Sequence, residues 1–276
     1  MLLAKKINRE GAGVRENKVK TIWAQGGAVV NGWLGIPSSV SAENMAHAGW
    51  DSLVIDMQHG LVDYTSAVPM LQAISTTATV PMARVPWNLP DLMMKILDAG
   101  AYGIVCPMIN TRAECEEFVS NCRYAPKGRR SFGPTRALWY AGADYAQHAN
   151  DTLITMAMIE TAQAMENLDE ILTTPGLDAI YVGPADLGLS LVGIPSADPT
   201  HETVVKAIKT IVDACKRHKV VAGIHCFAPA YAKARIADGY QFVTLASDNA
   251  LLANMAKQTV AQMREGAGPG GAKSVY

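Results

Sequence analysis

Residues 80–108, VPMARVPWNLPDLMMKILDAGAYGIVCPM, contain a complete strand–helix–strand pattern. The apolar segments 80–85 and 103–108 have few polar positions, which is typical of parallel strands buried on both faces. Between them, residues 89–100 have the composition of a helix and end at Gly100, a residue type that favours helix termination. This stretch therefore predicts two parallel strands joined by a crossover helix.

The same alternation recurs along the chain and gives eight strand–helix units. The predicted strands are 33–38, 52–57, 80–85, 103–108, 152–160, 178–184, 220–226 and 241–248. The predicted helices are 41–49 (with Ser41 as N-cap and Gly49 as stop), 64–76, 89–100, 111–124, 161–176, 201–219, 229–239 and 249–266. Eight units in 276 residues fit an α/β fold of the (β/α)8 TIM barrel type. A Rossmann-type open sheet is the alternative, but no G-x-G-x-x-G follows the first predicted strand.

Two segments fall outside the repeated pattern. Residues 125–151 separate the fourth unit from the fifth, and loops of this length in compact domains tend to be lids or flexible segments. The Gly-rich residues 267–276 are predicted to be a disordered tail. We therefore expect a single barrel domain over residues 1–266.

The composition argues against several classes of protein. Hydrophobic residues make up 49% of the chain and charged residues 18%, as expected of a globular protein. The formal net charge is −1 and no Lys/Arg cluster stands out, so no nucleic-acid or membrane partner is expected. The N-terminus has no signal-like apolar stretch, and the five cysteines form no C-x-x-C pair. We expect reduced thiols in a cytoplasmic protein.

Polar residues gather where the predicted strands end. In a (β/α)8 barrel, active groups lie at the C-terminal ends of the strands. The residues at or near these ends are Asp56, His59, Arg84, Glu160, Asp186, His225 and Asp248. The general polarity of loops explains any one of them, but the set favours an active site.

Two carboxylates from neighbouring units indicate a metal site. Glu160 ends the apolar run TMAMIE and would otherwise be an unpaired carboxylate near a core. Together with Asp186 it favours a hard cation such as Mg²⁺ or Mn²⁺. Two protein ligands leave coordination positions for water or substrate, as in a catalytic site.

The turn Gly183-Pro184-Ala185-Asp186 has two interpretations. Its backbone N–H groups at a helix start are suited to bind a carboxylate or a phosphate. Alternatively, it is an ordinary loop in which Asp186 is the N-cap of the next helix.

Lysine positions restrict the type of aldolase that this scaffold supports. A Schiff-base aldolase needs a lysine inside the barrel. None of the predicted strands contains a lysine. If the chain is an aldolase, it is expected to be the metal-dependent type.

These residues together make the chain resemble the HpcH/HpaI aldolases, a family of metal-dependent class II pyruvate aldolases. The resemblance covers residues 28–260 and rests on seven stretches taken together. They are GWLGIPSS-x-SAE (32–43), I-D-x-x-H-G (55–60), ARVPWN (83–88), KILDAGA (95–101), PM-x-N-T-x-A-E (107–114), MIET (158–161) and V-G-P-A-D-L (182–187). The resemblance implies a barrel of the phosphoenolpyruvate/pyruvate-binding type, an aldehyde-lyase of EC 4.1.2 type, and a homo-hexamer built as a trimer of dimers.

The resemblance also implies catalytic roles for individual residues. His59 matches the histidine that accepts a proton, and Asp98 matches the aspartate that hydrogen-bonds this histidine. Arg84 matches the arginine that stabilises the enolate oxygen. From the residues alone, Asp98 would be a surface residue at the end of a helix.

Metal and substrate contacts follow from the same resemblance. Glu160 and Asp186 match the two metal carboxylates, with Mg²⁺ or Mn²⁺ expected and Co²⁺ as a further candidate. The turn Gly183-Pro184, with the backbone of Ala185 and Asp186, matches the segment that binds the substrate carboxylate.

The expected substrates are pyruvate or hydroxypyruvate together with an aldehyde. Trp33, Trp87 and the loop around Phe132 are candidates to shape the aldehyde pocket, although simple packing explains them as well. Met158 stands where many family members have a glutamine that contacts the substrate, and a thioether donates no hydrogen bond. The natural substrate therefore does not follow from the resemblance.

Three alternative functions compete with the aldolase. The first is a CoA-ester lyase on the same scaffold, but no basic patch for CoA stands out. The second is an enzyme that handles phosphoenolpyruvate, which would need more cationic groups. The third is a catalytically inactive barrel that acts as a binding protein, which the complete set of expected active residues disfavours.

Overall fold

A closed barrel of eight parallel strands forms the core of the protein. The computed structural model describes residues 13–265. The strands are β1 (Val29–Leu34), β2 (Ser52–Asp56), β3 (Val80–Arg84), β4 (Gly103–Cys106), β5 (Ile154–Ile159), β6 (Ala179–Val182), β7 (Val221–Cys226) and β8 (Phe242–Ser247). Each strand pairs with the next one along the chain, and β8 pairs with β1. The TIM barrel prediction is confirmed.

Helices cover the outside of this barrel. They are α1 (Lys18–Ala24), α2 (Ser39–Ala46), α3 (Tyr64–Ile74), α4 (Pro90–Asp98), α5 (Arg112–Cys122), α6 (Arg136–Ala141), α7 (Tyr145–Thr152), α8 (Ala162–Glu166), α9 (Leu168–Leu172), α10 (Pro184–Val192), α11 (Glu202–His218), α12 (Pro229–Asp238) and α13 (Asp248–Arg264). The tail predicted at 267–276 lies outside the described residues. Within 13–265, no helix is long and apolar enough to cross a membrane.

Local capping explains where several of these helices begin. Asp63 caps α3 by accepting a hydrogen bond from Ser66 N at 2.8 Å, and Thr111 caps α5 through Glu114 N. In both helices the third residue hydrogen-bonds back to the cap, which satisfies backbone groups that the helix itself leaves unpaired.

The first unit differs from its prediction. β1 begins at Val29 rather than Trp33, and residues 35–38 form the loop that follows it. Ser38 caps α2 by accepting a hydrogen bond from Ser41 N, so the prediction of Ser41 as the N-cap was wrong. The Ser41 hydroxyl donates instead to Asp248 Oδ2 at 2.7 Å.

The long connection 125–151 also differs from its prediction. It contains α6 and most of α7 rather than irregular loop alone. Because it joins the end of α5 to the start of β5, it lies at the N-terminal end of the barrel. The active face of a barrel is the opposite end. Of the two possibilities considered for this segment, a lid over the active face of its own chain does not fit this position.

Polar side chains inside the barrel form a hydrogen-bonded layer. Ser52 Oγ donates to Asn31 Oδ1 at 2.7 Å, and Asn31 Nδ2 donates to Thr244 Oγ1 at 3.0 Å. All three residues are fully buried. The layer joins β8, β1 and β2, and Trp33 lies two residues closer to the C-terminal end of β1. It therefore forms a satisfied polar floor under the strand ends.

Asp248 links the end of β8 to the loop that follows β1. Its carboxylate accepts hydrogen bonds from Gly35 N at 2.8 Å and Ile36 N at 3.3 Å. It is 5% exposed, and these contacts give it a structural rather than a catalytic environment. After it, α13 extends away from the barrel, and its residues 251–264 are exposed throughout.

Candidate active site

A buried ion pair lies at the ends of β2 and β3. Asp56 and Arg84 are register partners on these strands. Arg84 donates from Nε to Asp56 Oδ1 at 2.8 Å and from Nη2 to Oδ2 at 2.6 Å. Burial raises the pKa of Asp56, but the hydrogen bonds and charge of Arg84 outweigh this effect, so its pKa lies below the ordinary value. The guanidinium is therefore held in one orientation beside an ionised carboxylate.

The same carboxylate organises the turn that carries His59. Asp56 Oδ1 also accepts hydrogen bonds from Gln58 N at 3.1 Å and His59 N at 3.3 Å. Sequence reasoning noted Asp56 at a strand end but assigned it no role. The spacing in I-D-x-x-H-G was the available signal, because an aspartate can bond backbone N–H groups two and three residues ahead.

A cavity of about 790 Å³ opens beside this pair. Its lining includes Trp33, Asp56, His59, Arg84, His225 and Phe227. The Arg84 guanidinium lies 4.9 Å from the centre of the Trp33 ring, within the range of a cation–π contact. The structure thus places His59, Arg84 and Trp33 around one cavity.

Two aromatic residues expected near the substrate do not line this cavity. Trp87 is 52% exposed outside it, and Phe132 packs against Tyr124 with ring centroids 5.6 Å apart. Phe132 lies in the connection at the opposite end of the barrel. Of the three aromatic candidates, only Trp33 faces the cavity of its own chain.

Glu160 follows β5 and is nearly fully buried. Its Oε1 accepts a hydrogen bond from Met108 N at 2.8 Å, and Met108 has a left-handed backbone with φ of 56°. Burial raises the pKa of Glu160 to about 7, a shift that the Met108 N–H opposes and the nearby charge of Asp186 adds to. Among the described residues, Glu160 Oε2 accepts no hydrogen bond, so one oxygen of a desolvated carboxylate is available to a cation.

The turn before α10 is shaped around this carboxylate. A Cβ on Gly183 would lie 2.4 Å from Glu160 Oε2, so only glycine fits there. Gly183 is the N-cap of α10 and Pro184 is its first residue, so the alternative of Asp186 as N-cap was wrong. Asp186 lies exposed in the first turn. The N–H groups of Ala185 and Asp186 have no intrahelical partner at this position.

Glu160 and Asp186 are close enough for the charge of Asp186 to raise the pKa of Glu160. Within residues 13–265, no cluster of three or more His, Cys, Asp or Glu side chains is arranged to hold a metal. Two acidic oxygen donors fit a hard divalent cation that keeps several other ligands.

Met158 is 2% exposed and its side chain lies beside Gly183, since a Cβ added to Gly183 would be 3.1 Å from the Met158 methyl group. None of the eight strands contains a lysine.

Asp98 does not reach His59 within one chain. It is the last residue of α4, which runs from the C-terminal end of β3 back to the start of β4. His59 follows the C-terminal end of β2, so the two residues lie at opposite ends of the barrel. Asp98 Oδ1 accepts a hydrogen bond from the buried Arg130 at 2.5 Å instead. The expected His59–Asp98 hydrogen bond is absent from the described part of a single chain.

The sequence of the chain matches the HpcH/HpaI aldolase/citrate lyase family over residues 32–255. The chain belongs to this family. It is 42% identical to a hydroxypyruvate/pyruvate aldolase of Rhizorhabdus wittichii, over 90% of this chain and 99% of that protein. It is 34% identical to a 4-hydroxy-2-oxo-heptane-1,7-dioate aldolase of Escherichia coli, over 90% of this chain and 95% of that protein.

A solved structure gives the same result. The crystal structure of an HpcH/HpaI aldolase/citrate lyase family protein from Burkholderia cenocepacia superposes with a TM-score of 0.84 at 31% identity. It covers 90% of this chain and 99% of the other. The family predicted from the sequence is confirmed. The full-length aldolase relatives favour an aldolase-type lyase over a CoA-ester lyase or an inactive binding protein.

Burial disfavours the ionised form of Glu160 in the folded protein. We therefore expect its ionisation to lower the free energy of unfolding, and a neutral side chain at this position to avoid that loss. In metal-free protein the carboxyl is neutral below its ordinary pKa near 4.5 and pays no penalty there. Between 4.5 and about 7, the unfolded chain releases the proton while the folded chain keeps it, so stability falls as pH rises. With EDTA at pH 8, Glu160→Gln should therefore raise the free energy of unfolding by roughly 2–3 kcal/mol.

Urea denaturation at pH 8 and at pH 4.5 measures this effect. The gain in the free energy of unfolding should disappear at pH 4.5, because residue 160 of the folded protein is then neutral in both the native chain and the Glu160→Gln variant. Glu170→Gln, at an exposed position, is the control and should change little at either pH. A Glu160→Gln variant no more stable than the native chain at pH 8 would contradict the assignment of a desolvated carboxylate.

Proposed function

We propose that the chain is a divalent-metal-dependent aldolase that cleaves or forms 4-hydroxy-2-oxo acids through a pyruvate-type enolate. The observation that carries this proposal is the fixed guanidinium of Arg84. It faces a cavity that His59 also lines, and its charge acts on Glu160. Arg84 and His59 therefore face one cavity, and Arg84 lies close enough to Glu160 for its charge to lower the pKa of that carboxyl.

Glu160 and Asp186 are the residues that would hold the metal, Mg²⁺, Mn²⁺ or Co²⁺. The desolvated Glu160 carboxylate with an unpaired Oε2 supports this proposal. A divalent cation supplies Lewis-acid polarisation of the carboxylate and keto oxygens of a 2-oxo acid. The first-turn N–H groups of Ala185 and Asp186 would bind the substrate carboxylate, as helix N-termini bind anions.

Arg84 would stabilise the negative charge on the enolate oxygen. Asp56 fixes the guanidinium before the reaction, so little reorganisation is needed when charge develops.

His59 would act as the general base. In cleavage it takes the proton of the C4 hydroxyl, the C4–C3 bond breaks, and an aldehyde leaves. The bonding electron pair stays with the three-carbon fragment as its enolate, which is then protonated at C3. The reverse sequence forms the new carbon–carbon bond.

Pyruvate and hydroxypyruvate are the proposed three-carbon substrates, each with an aldehyde in the cavity beside Trp33. The name of the 42% identical relative supports this choice. The five cysteines are buried free thiols, which fits the reducing cytoplasm that we propose as the location.

Proton exchange at C3 of pyruvate tests the enolate chemistry. In D₂O with Mg²⁺ or Mn²⁺, the native chain should exchange these protons, and EDTA should abolish the exchange. Arg84→Ala should lower the exchange rate by about 10²–10³-fold, because it removes a preorganised group at the developing charge. NMR spectra recorded over time give the rates.

Arg112→Ala is the matched control, since Arg112 pairs with Glu116 on the surface and should not affect exchange. Thermal unfolding of Arg84→Ala checks that the variant is folded. Metal-independent exchange, or normal exchange in folded Arg84→Ala, would contradict the proposal.

We also propose that the site is completed by a second copy of the chain, in a homo-hexamer assembled as a trimer of dimers. Asp98 would reach His59 from a neighbouring subunit, because it cannot do so within its own. The exposed helix α13 supports self-association: Leu252 is 64% exposed and Met263 is 79% exposed. Large apolar side chains on one isolated helix are typical of a surface that another subunit covers.

Co-expression of two inactive variants tests this shared site. Asp98→Asn and His59→Ala should each lose activity alone. In a mixed dimer, His59 of one chain meets Asp98 of the other, so one of two sites is intact. Random mixing should then restore about a quarter of native activity, as half of the dimers are mixed.

The matched control pairs His59→Ala with Arg84→Ala. These residues belong to the same chain's site, so mixing should restore nothing. Equal recovery in both mixtures, or none in the first, would contradict a site shared between subunits.

A further inference from the structure

His225 lies in the cavity but takes no part in the proposed reaction. It is on β7 and lines the space beside Trp33 and Arg84. Its ring lies edge-on to Trp33, with centroids 5.2 Å apart. Unlike an aliphatic side chain, a histidine brings two ring nitrogens into this wall, and each of them can take part in a hydrogen bond.

The buried polar layer holds the His225 ring by one nitrogen. Nδ1 lies 2.9 Å from the Tyr181 hydroxyl, and that hydroxyl donates to Thr244 Oγ1 at 2.7 Å. Having only one proton, the Tyr181 hydroxyl must accept from His225, so Nδ1 carries the ring proton. Thr244 is in turn held by Asn31.

The other ring nitrogen is an acceptor with no protein partner. Among residues 13–265, His225 Nε2 makes no hydrogen bond, although the residue is mostly buried. Burial lowers the pKa of His225 to about 4, and the charge of Arg84 lowers it further. The imidazole is therefore neutral near pH 7 and poorly suited to act as a general base.

The Tyr181 ring is itself immobilised. It stacks on Trp33 with centroids 5.7 Å apart and an angle of 13° between the planes. It also packs against Gly223, where a Cβ would lie 3.0 Å from the ring. These contacts hold His225 Nε2 in one direction. A site that distinguishes substrates by a hydrogen bond needs such a fixed acceptor.

We propose that His225 is a specificity-determining residue whose Nε2 accepts a hydrogen bond from a hydroxyl group on C3 of the 2-oxo acid. This inference rests on the proposed function. C3 is bonded to the carbon that carries the enolate oxygen, and Arg84 would contact that oxygen. Since the Arg84 guanidinium lies 4.9 Å from the Trp33 ring and the His225 ring lies 5.2 Å from Trp33, a C3 substituent would lie near the wall formed by Trp33 and His225. The acceptor favours hydroxypyruvate over pyruvate.

Exchange of C3 protons in D₂O, without any aldehyde, measures the preference directly. We compare kcat/KM for exchange of hydroxypyruvate and pyruvate in the native enzyme and in His225→Leu. The ratio should fall about tenfold or more in the variant, because a hydroxyl loses its partner in a buried site. Exchange of pyruvate should change little.

Three further variants make the result specific. Tyr181→Phe removes the hydroxyl that orients the ring and should lower the same ratio by a smaller factor. Phe227→Leu changes an apolar residue of the same cavity and should leave the ratio unchanged. His225→Asn keeps a hydrogen-bonding group and should recover part of the preference.

The outcomes separate this inference from the proposed function. An active His225→Leu variant with an unchanged ratio would overturn the inference alone. Equal losses for both acids would also overturn it, since they indicate a general structural role. Absence of exchange with either acid in the metal-loaded native enzyme would overturn the proposed function, and the inference with it.

Discussion

The bidentate ion pair between Asp56 and Arg84 is the interaction on which the rest of the site depends. Strand register places both residues side by side at the mouth of the barrel, and each is largely buried. Burying two charges costs free energy that good geometry only partly offsets. The pair therefore fixes the orientation of the Arg84 guanidinium but adds little to the free energy of unfolding. Because Asp56 also accepts a hydrogen bond from His59 N, one carboxylate positions both the guanidinium and the backbone of the proposed base.

Burial raises the pKa of both acidic groups of this site, but their different partners give net shifts of opposite sign. Asp56 has a guanidinium partner, and its pKa is lowered in spite of desolvation. Burial raises the pKa of Glu160 to about 7; the nearby charge of Asp186 adds to this rise, and one backbone N–H opposes it without reversing it. Asp56, which is paired with a guanidinium, positions other groups. Glu160 accepts no hydrogen bond from a cationic side chain among the described residues, and its carboxylate is suited to bind a metal cation. The barrel interior thus separates the positioning function from the proposed metal-binding function.

Sequence periodicity predicted most of the fold because strands buried on both faces read as apolar runs. It failed at β1, where Asn31 and Gly32 interrupt the run, and the structure shows Asn31 bonded inside the barrel. Glu160 was predictable as a carboxylate ending an apolar strand. The Asp56–Arg84 pair and the support of His225 were not, since both depend on strand register. The position of Asp98 at the opposite end of the barrel follows from chain direction, which the resemblance alone did not convey.

Asp56 is proposed to hold Arg84 and His59 in the positions that the reaction needs, through its bonds to the guanidinium and to His59 N. The most direct measurement is the rate of pyruvate C3 proton exchange in Asp56→Asn with saturating Mg²⁺ or Mn²⁺. Asparagine keeps the shape but removes the charge that orients the guanidinium. We expect a rate lower by about 10²-fold with metal affinity retained, because the proposed metal ligands Glu160 and Asp186 are unchanged. A variant that binds metal and exchanges protons at the native rate would contradict it.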